Sequence, residues 1–271
     1  MGIIWPSLDG VLRLLDARIG SHADVRSARP GILQVCAHGP RAGDRFDATD
    51  LRVLVVADVL LRTAELLGSL QVLVLLAADL SPGQAETLAK AVGALGVHPP
   101  AGHVSPPGAE TPLGGPADMH VARDDAAVAE SGLLYGVGPV HTEGEDLLAD
   151  LGLITEPEGD PLAVRLALLA WAHHRPADLT PAVMTDAQDT LRRWRRGVSD
   201  WAEVPSRPMR AEAARAIAAL EDDLDTSSAL AVLHDLENEA SVPAGAKFET
   251  FAYLDRILGL DLMREIGRPR A

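Results

Sequence analysis

The cysteine Cys36, the only one in the chain, and His120 are the side chains with the clearest capacity for chemistry. A thiol can act as a nucleophile or as a metal ligand, but a lone free cysteine is more often a buried core residue, and we favour that interpretation. His120 follows Asp118 and Met119 at the predicted end of a strand, where it could face a pocket, although a structural role is favoured. One cysteine excludes an internal disulfide and any zinc site built from several cysteines.

A second group, Arg192-Arg193-Trp194-Arg195-Arg196, combines positive charge with an aromatic ring and could suggest RNA binding. The group falls at the predicted C-terminal end of a helix, where positive charge suits the helix dipole, so a solvated helix end is the favoured interpretation. The formal net charge of −15 also argues against a nucleic-acid partner, because basic surfaces drive binding to phosphates. We therefore expect that the protein does not bind DNA, and tRNA binding is not the favoured interpretation.

Other patterns carry no catalytic prediction. His173 and His174 follow a predicted helix and are interpreted as solvent-facing or capping residues. Gly114-Gly115 and Gly136-Val137-Gly138 lack the glycine spacing that pyrophosphate binding needs between a strand and a helix. The N-terminus has no secretory pattern and the longest apolar run, 70–78, is too short to cross a bilayer, so we expect a cytoplasmic protein without a membrane partner.

The elements that would position these residues alternate between strands and helices in the first part of the chain. Short apolar runs predict four strands, at 33–37, 72–78, 117–122 and 132–140. Helical spacing predicts one helix over 51–67 that stops at Gly68, and Ser81-Pro82 opens a second that closes near Gly96. Residues 98–116, rich in proline and glycine, are predicted to form a loop. This alternation indicates an α/β fold with a parallel sheet and crossover helices.

From Asp160 onward the predicted elements are all helical. They cover residues 161–173, 180–196, 208–224, 227–239 and 248–258, and prolines separate several of them. The sequence therefore predicts a Rossmann-like parallel sheet domain over residues 1–158, followed by an α-helical bundle domain over residues 159–271.

Five stretches, in order along most of the chain, point to one family. They are Val35-Cys36, Asp47–Leu51, Glu143–Glu145 with Leu151-Gly152, Asp160–Leu169 with His173-His174-Arg175, and Leu224–Leu233. Together they resemble cysteinyl-tRNA synthetase, a class I synthetase, and still more its relative, the mycothiol-pathway cysteine ligase, which joins cysteine to a glucosaminyl-inositol. The resemblance implies that the sheet domain is of the HUP type that these enzymes share.

The residues that handle ATP in this family are replaced. The family's HIGH signature binds the triphosphate and lets adenine approach the backbone; the corresponding positions here are Asp50, Arg52 and Val53. An acid repels phosphate, and an arginine side chain fills the space that a glycine leaves. The KMSKS position reads Asp146–Asp150 and contains no lysine. Because cationic clamps on phosphate supply much of the rate of such reactions, the resemblance implies that ATP activation is lost.

The zinc site of the family is incomplete as well. The family holds zinc with two cysteines, a histidine and one further ligand, and only Cys36 corresponds here. We predict no catalytic residue, no metal ligand and no required cofactor, with ATP or an adenylate as the alternative. The candidates for the ancestral ligand pocket are Cys36, Asp47, Asp50, Arg52 and His120.

Three functions are compatible with these losses. The favoured one is a degenerate, non-catalytic paralogue, a pseudoenzyme, that binds a small-molecule ligand or a protein partner. A second is a scaffold that associates with an active synthetase or ligase through the helical bundle. The third is an ATP-dependent ligase that activates cysteine or another amino acid as an adenylate, with phosphate contacts rewired to Arg41, Arg45 or Arg52. Asp47 and Asp50 could instead bind a cation or an amine where the family binds phosphate.

Overall fold

A five-stranded parallel sheet forms the centre of the molecule. The structure is a computed structural model that describes residues 12–41, 43–106, 110–143, 159–209 and 211–268. The strands are β3 (Ile32–His38), β4 (Gln71–Ala77), β5 (Gly102–Val104), β6 (Met119–Arg123) and β7 (Leu133–Val137), in the spatial order β5-β4-β3-β6-β7. The order reverses between β3 and β6, so their carboxyl ends form the switch point at which such sheets bind ligands.

Four further strands among the described residues lie outside this sheet. β1 (Arg13–Asp16) and β2 (Ser21–Asp24) form an antiparallel hairpin, and β8 (Val140–Thr142) pairs in parallel with β9 (Ala177–Leu179). The strand predicted over 132–140 is thus two strands, because Pro139 has no N–H for a ladder and the N–H of Gly138 donates to the carbonyl of His173. The predicted loop 98–116 contains β5, which is too short to show a periodicity.

Two helices follow β3 and β4 and are fixed at their N-termini by side chains. Asp47 caps α1 (Ala48–Leu66), and Ser81 caps α2 (Pro82–Ala94) through a reciprocal pair with Gln84. Alternate residues of β3 face opposite sides of the sheet. Val35 and Ala37 join the main core with α1, whereas Cys36 belongs to a separate small cluster with Ala77 and Ala117.

Apart from strand β9, the described part of the C-terminal region is helical, as predicted. It consists of α3 (Leu162–Leu169), α4 (Pro181–Trp201), α5 (Ala211–Glu221), α6 (Thr226–Asn238), α7 (Ala244–Leu258) and a 3-10 turn at Leu262–Glu265. The helix predicted to end at Arg196 continues to Trp201. No helix within the described ranges is long and apolar enough to span a bilayer.

The sheet and the helical region share one hydrophobic core. Val35 and Val59 from the first part and Leu191 and Ile257 from the second belong to the same continuous cluster of buried residues. The predicted domain boundary at 158/159 adjoins residues 144–158, which lie outside the described ranges. The boundary therefore stays a prediction, and the described parts of the two regions are packed together.

One buried ion pair ties the two regions. Arg165 of α3 is fully buried and donates to the carboxylate of Asp58 in α1 over 2.6 Å. Its other nitrogens donate to the carbonyl oxygens of Leu258 at 2.6 Å and Leu95 at 3.2 Å. Asp58 also accepts from Arg62, so the carboxylate and the guanidinium are both satisfied, and the pKa of Asp58 is lowered by these cations despite the opposing effect of burial.

Candidate functional site

A polar pocket lies at the switch point, where β3 and β6 end and α1 begins. Its volume is about 460 Å³, enough for a small ligand. Charged residues from the loop after β3, from the first turn of α1 and from the end of β6 line it. They are Asp44, Asp47, Asp50 and Asp125, together with Arg41, Arg45 and Arg123. Two of the predicted pocket residues, Asp47 and Asp50, are therefore placed here.

The N-terminus of α1 is already occupied by carboxylates. Asp47 accepts from the backbone N–H of Thr49 at 2.8 Å and of Asp50 at 3.2 Å, and Asp50 accepts from the N–H of Asp47 at 2.9 Å. This capping box satisfies donors that would otherwise be free to bind an anion. A phosphate entering the pocket would have to compete with two carboxylates for the positive end of the helix dipole.

Asp50 is the most unusual group in the pocket. The residue is 1% exposed, and its Oδ1 has no hydrogen-bond partner among the described residues. The nearest cation, the Nη1 of Arg123, lies 3.7 Å from Oδ1 and makes its closer contact, 2.9 Å, with Asp47. Burial raises the pKa of Asp50 to about 7, because a buried carboxylate loses its hydration. A buried carboxyl with a raised pKa in a cleft is a mark of a functional site.

The arginines of the pocket come from two places in the sequence, the loop after β3 and the end of β6. The side chain of Arg41 donates to the carbonyl of Ala127, and its backbone N–H donates to Asp44 over 3.1 Å. Arg123, at the end of β6, also approaches Asp125 at 3.6 Å. Sequence reasoning missed Arg123, although its place at the carboxyl end of a predicted strand beside the switch point is a usable signal.

Arg52 does not line this pocket. The residue is 1% exposed, and its guanidinium donates to the backbone carbonyls of Gly138 at 3.1 Å, Ala172 at 2.9 Å and Arg175 at 2.5 Å. It therefore joins α1 to the segment that connects α3 with β9. These carbonyls hold the guanidinium away from the switch-point pocket.

Cys36 and His120 lie together on the sheet, with His38 as a third member. Their ligand atoms are all within 4.8 Å of one another, and the three side chains are at most 6% exposed. The Nε2 of His38 and the Nδ1 of His120 are 2.8 Å apart. Burial raises the pKa of the Cys36 thiol to about 12 and lowers the pKa of His38 to about 3 and of His120 to about 4, so all three groups are neutral at pH 7. Sequence reasoning missed His38, although its spacing of two from Cys36 puts both side chains on one face of a strand.

The zinc site that the resemblance implies does not fit these residues. A tetrahedral structural zinc site takes four protein ligands, and the family's set requires a second cysteine. The cluster around Cys36 offers three ligands among the described residues, and the sequence has no other cysteine. The KMSKS-like segment Asp146–Asp150 lies outside the described residues.

The remaining candidates have structural roles. His173, expected at the surface, is buried: its Nδ1 lies 2.8 Å from the carbonyl oxygen of Gly136, and its ring stacks on Tyr135. The basic group on α4 is solvated only in part, because Arg192, Arg193 and Arg196 are exposed, whereas Trp194 and Arg195 are buried and Arg195 pairs with Asp160.

Comparison with known proteins gives relatives of one kind. The L-cysteine:1D-myo-inositol 2-amino-2-deoxy-alpha-D-glucopyranoside ligase of Thermobifida fusca is 35% identical over 109 residues, covering 39% of this chain and 26% of the relative. The corresponding ligase of Thermobispora bispora is 31% identical over 153 residues, 55% of this chain and 37% of the relative. The cysteine–tRNA ligase of Paracoccus denitrificans is 34% identical over 87 residues, 31% of this chain and 18% of the relative. The homologues of this chain are cysteine ligases.

These likenesses are partial. The chain spans between 18% and 37% of the length of these three curated relatives. No protein-family model matches the chain. Among solved structures, the arginyl-tRNA synthetase of Plasmodium falciparum is similar with a TM-score of 0.49 and 9% identity, covering 89% of this chain and 78% of that one. The sequence relationship to the cysteine ligases, with the parallel sheet and the helical region, agrees with the predicted class I synthetase resemblance.

Proposed function

We propose that this cysteine ligase-like chain is a binding protein that does not form an aminoacyl-adenylate. The observation that carries the proposal is the capped N-terminus of α1, where Asp47 and Asp50 occupy the backbone donors at the switch point. Nucleotide phosphates bind well at a free helix N-terminus and poorly beside fixed carboxylates. The remaining pocket takes a small polar ligand, which the chain holds without activating it.

The test is ATP–pyrophosphate exchange with cysteine and with a mixture of the other amino acids. The expected result is no exchange above the protein-free blank, while a cysteine–tRNA ligase assayed beside it exchanges readily. Binding is measured separately by thermal shift with ATP, cysteine and a non-hydrolysable cysteinyl-adenylate analogue, because a ligand that binds only the folded state raises its stability. A shift with one of these ligands and no exchange is the pattern expected of a binding protein. Robust exchange would refute the proposal.

The second candidate is a live ligase with rewired phosphate contacts. It is favoured by Arg41, Arg45 and Arg123, which place three guanidiniums around the pocket. Arg52, the third arginine that the sequence offers for this role, does not line the pocket. If exchange is observed, this candidate requires that Arg41→Ala or Arg45→Ala reduce it strongly, since a clamp on a phosphate contributes several kcal/mol to the transition state. Exchange that survives both substitutions would count against it.

A further inference from the structure

The cluster of Cys36, His38 and His120 has the composition of a metal site that neither the resemblance nor the relatives assign. Cys36 and His120 are register partners on β3 and β6, and His38 follows two residues later on the same face of β3. The sheet therefore holds one sulfur and two imidazoles on one surface. Their ligand atoms lie within 4.8 Å of one another, which is close enough for one ion to contact all three after small rotations.

The two histidines already face each other with the nitrogens that would hold an ion. The Nδ1 of His120 lies 2.8 Å from the Nε2 of His38, and the Nε2 of His120, on the far side of its ring, is buried without a hydrogen-bond partner among the described residues. On the sulfur side, the backbone of Ala77 is directed at Cys36 and favours its ionised form. A backbone N–H directed at a cysteine sulfur is a typical outer partner of a metal-bound thiolate.

We propose that Cys36, His38 and His120 form a closed three-coordinate site for copper(I). A thiolate with two imidazoles is the ligand set of trigonal copper sites, and soft sulfur ligands select copper(I). On binding, the thiol gives its proton to solvent. The metal takes the place between the Nε2 of His38 and the Nδ1 of His120, and each neutral ring keeps its single N–H on the nitrogen remote from the metal.

Coordination number and charge favour copper(I) over zinc. Zinc requires a fourth ligand, and the three side chains are almost entirely shielded from water. Copper(I) with one thiolate gives a neutral centre, whereas Zn²⁺ leaves a net positive charge. Arg18 and Arg41 lie close enough to lower the pKa of the cluster's histidines, after the larger effect of burial, and they would repel a centre of net positive charge.

The first experiment is an anaerobic titration of the whole chain, after treatment with a chelator, with copper(I) buffered by bicinchoninate. The expected result is the transfer of one copper(I) per chain from the coloured chelator complex to the protein. A parallel titration with Zn²⁺ against a zinc indicator is expected to show no stoichiometric binding at micromolar metal. X-ray absorption at the copper edge of the wild-type complex is expected to show one sulfur and two nitrogen neighbours.

Two substitutions and one matched control locate the site. Cys36→Ser and His120→Asn each remove one ligand without adding volume, and each should lower the copper(I) affinity by at least about 100-fold. His103→Asn removes an exposed histidine of β5 and should leave the affinity unchanged. Far-UV circular dichroism and urea unfolding without metal check that the variants fold. If either variant fails to fold, the X-ray absorption spectrum of the wild-type copper complex tests the proposed ligand set instead.

Three results would overturn the proposal. They are the absence of stoichiometric copper(I) binding, copper(I) that is retained equally by a folded Cys36→Ser variant, and a wild-type absorption spectrum without a sulfur neighbour. Stoichiometric binding of Zn²⁺ that is lost in the same variants would replace copper(I) by zinc and refute the charge argument. None of these results depends on whether the switch-point pocket binds a ligand.

Discussion

Replacing Asp50 by asparagine should make the protein more stable at pH 8. The pKa of Asp50 is raised by burial from its ordinary value of 3.8 to about 7, so holding this carboxyl ionised in the folded state costs free energy. A shift of about 3 units corresponds to about 4 kcal/mol. Asparagine is neutral and keeps the acceptor for the N–H of Asp47. The attraction of the carboxylate to Arg123 is already contained in the shifted pKa, so only the lost interaction with the helix dipole, about 1 kcal/mol, is subtracted. The expected net gain is about 3 kcal/mol.

The sign of the pH dependence distinguishes this cause from others. A carboxyl with a raised folded-state pKa binds its proton more tightly in the folded state, so its penalty is fully present above pH 7 and disappears as the pH falls toward 4. Asp50→Asn should therefore exceed the wild type in stability at pH 8 and approach it near pH 4.5. The measurement is the free energy of unfolding in urea at both pH values.

Asp125→Asn is the matched control for this prediction. Asp125 lines the same pocket and faces Arg123 at 3.6 Å, but its side chain is 83% exposed, so its substitution should change stability by less than about 0.5 kcal/mol at either pH. The reasoning is refuted if Asp50→Asn is less stable than the wild type at pH 8, or if the difference between them does not change with pH. A gain at pH 8 would mean that the chain keeps a costly carboxyl in the pocket, as expected of a functional residue.

Two further predictions concern buried polar contacts. Asp58→Asn should lower the free energy of unfolding in urea by about 3–5 kcal/mol, because it leaves the guanidinium of Arg165 buried without its counter-ion. The control Asp189→Asn removes one partner of an exposed ion pair and should cost less than about 0.5 kcal/mol. Equal losses of stability in Asp58→Asn and Asp189→Asn would show that the buried ion pair contributes no more than the exposed one. Arg52→Met should lower the free energy of unfolding by about 2–4 kcal/mol, because it leaves buried carbonyls without donors. It should leave ligand binding at the pocket unchanged. The control is Arg196→Met, which replaces an exposed arginine. If Arg52→Met keeps the melting temperature of the wild type but loses ligand binding, Arg52 is instead part of the pocket.

The sequence predicted the elements that have strong local signals. The apolar run around Val35 and the helical spacing after Asp47 identify β3 and α1, because burial on both faces and a regular apolar period leave clear patterns. Strand β5 and the pair β8 and β9 are three residues each and are held mainly by their neighbours, so no local pattern predicts them.

The candidate site was predictable only in part. Asp47 and Asp50 were named as pocket candidates through the family resemblance of their segment, and both line the pocket at the start of α1. The destination of Arg52 depends on carbonyls 86 to 123 residues away, and the meeting of His38 with His120 spans 82 residues. Contacts of that range follow from the path of the whole chain and cannot be read from the spacing of neighbouring residues.

The contacts of Arg165 also bear on the order of events in folding. Its three partners are 70, 93 and 107 residues away along the chain, so each contact closes a long loop before it contributes stability. Such contacts are expected to form after the transition state. Loss of the pair in Asp58→Asn should then appear mainly as faster unfolding, with the folding rate little changed, so that Arg165 governs how long the folded state lasts.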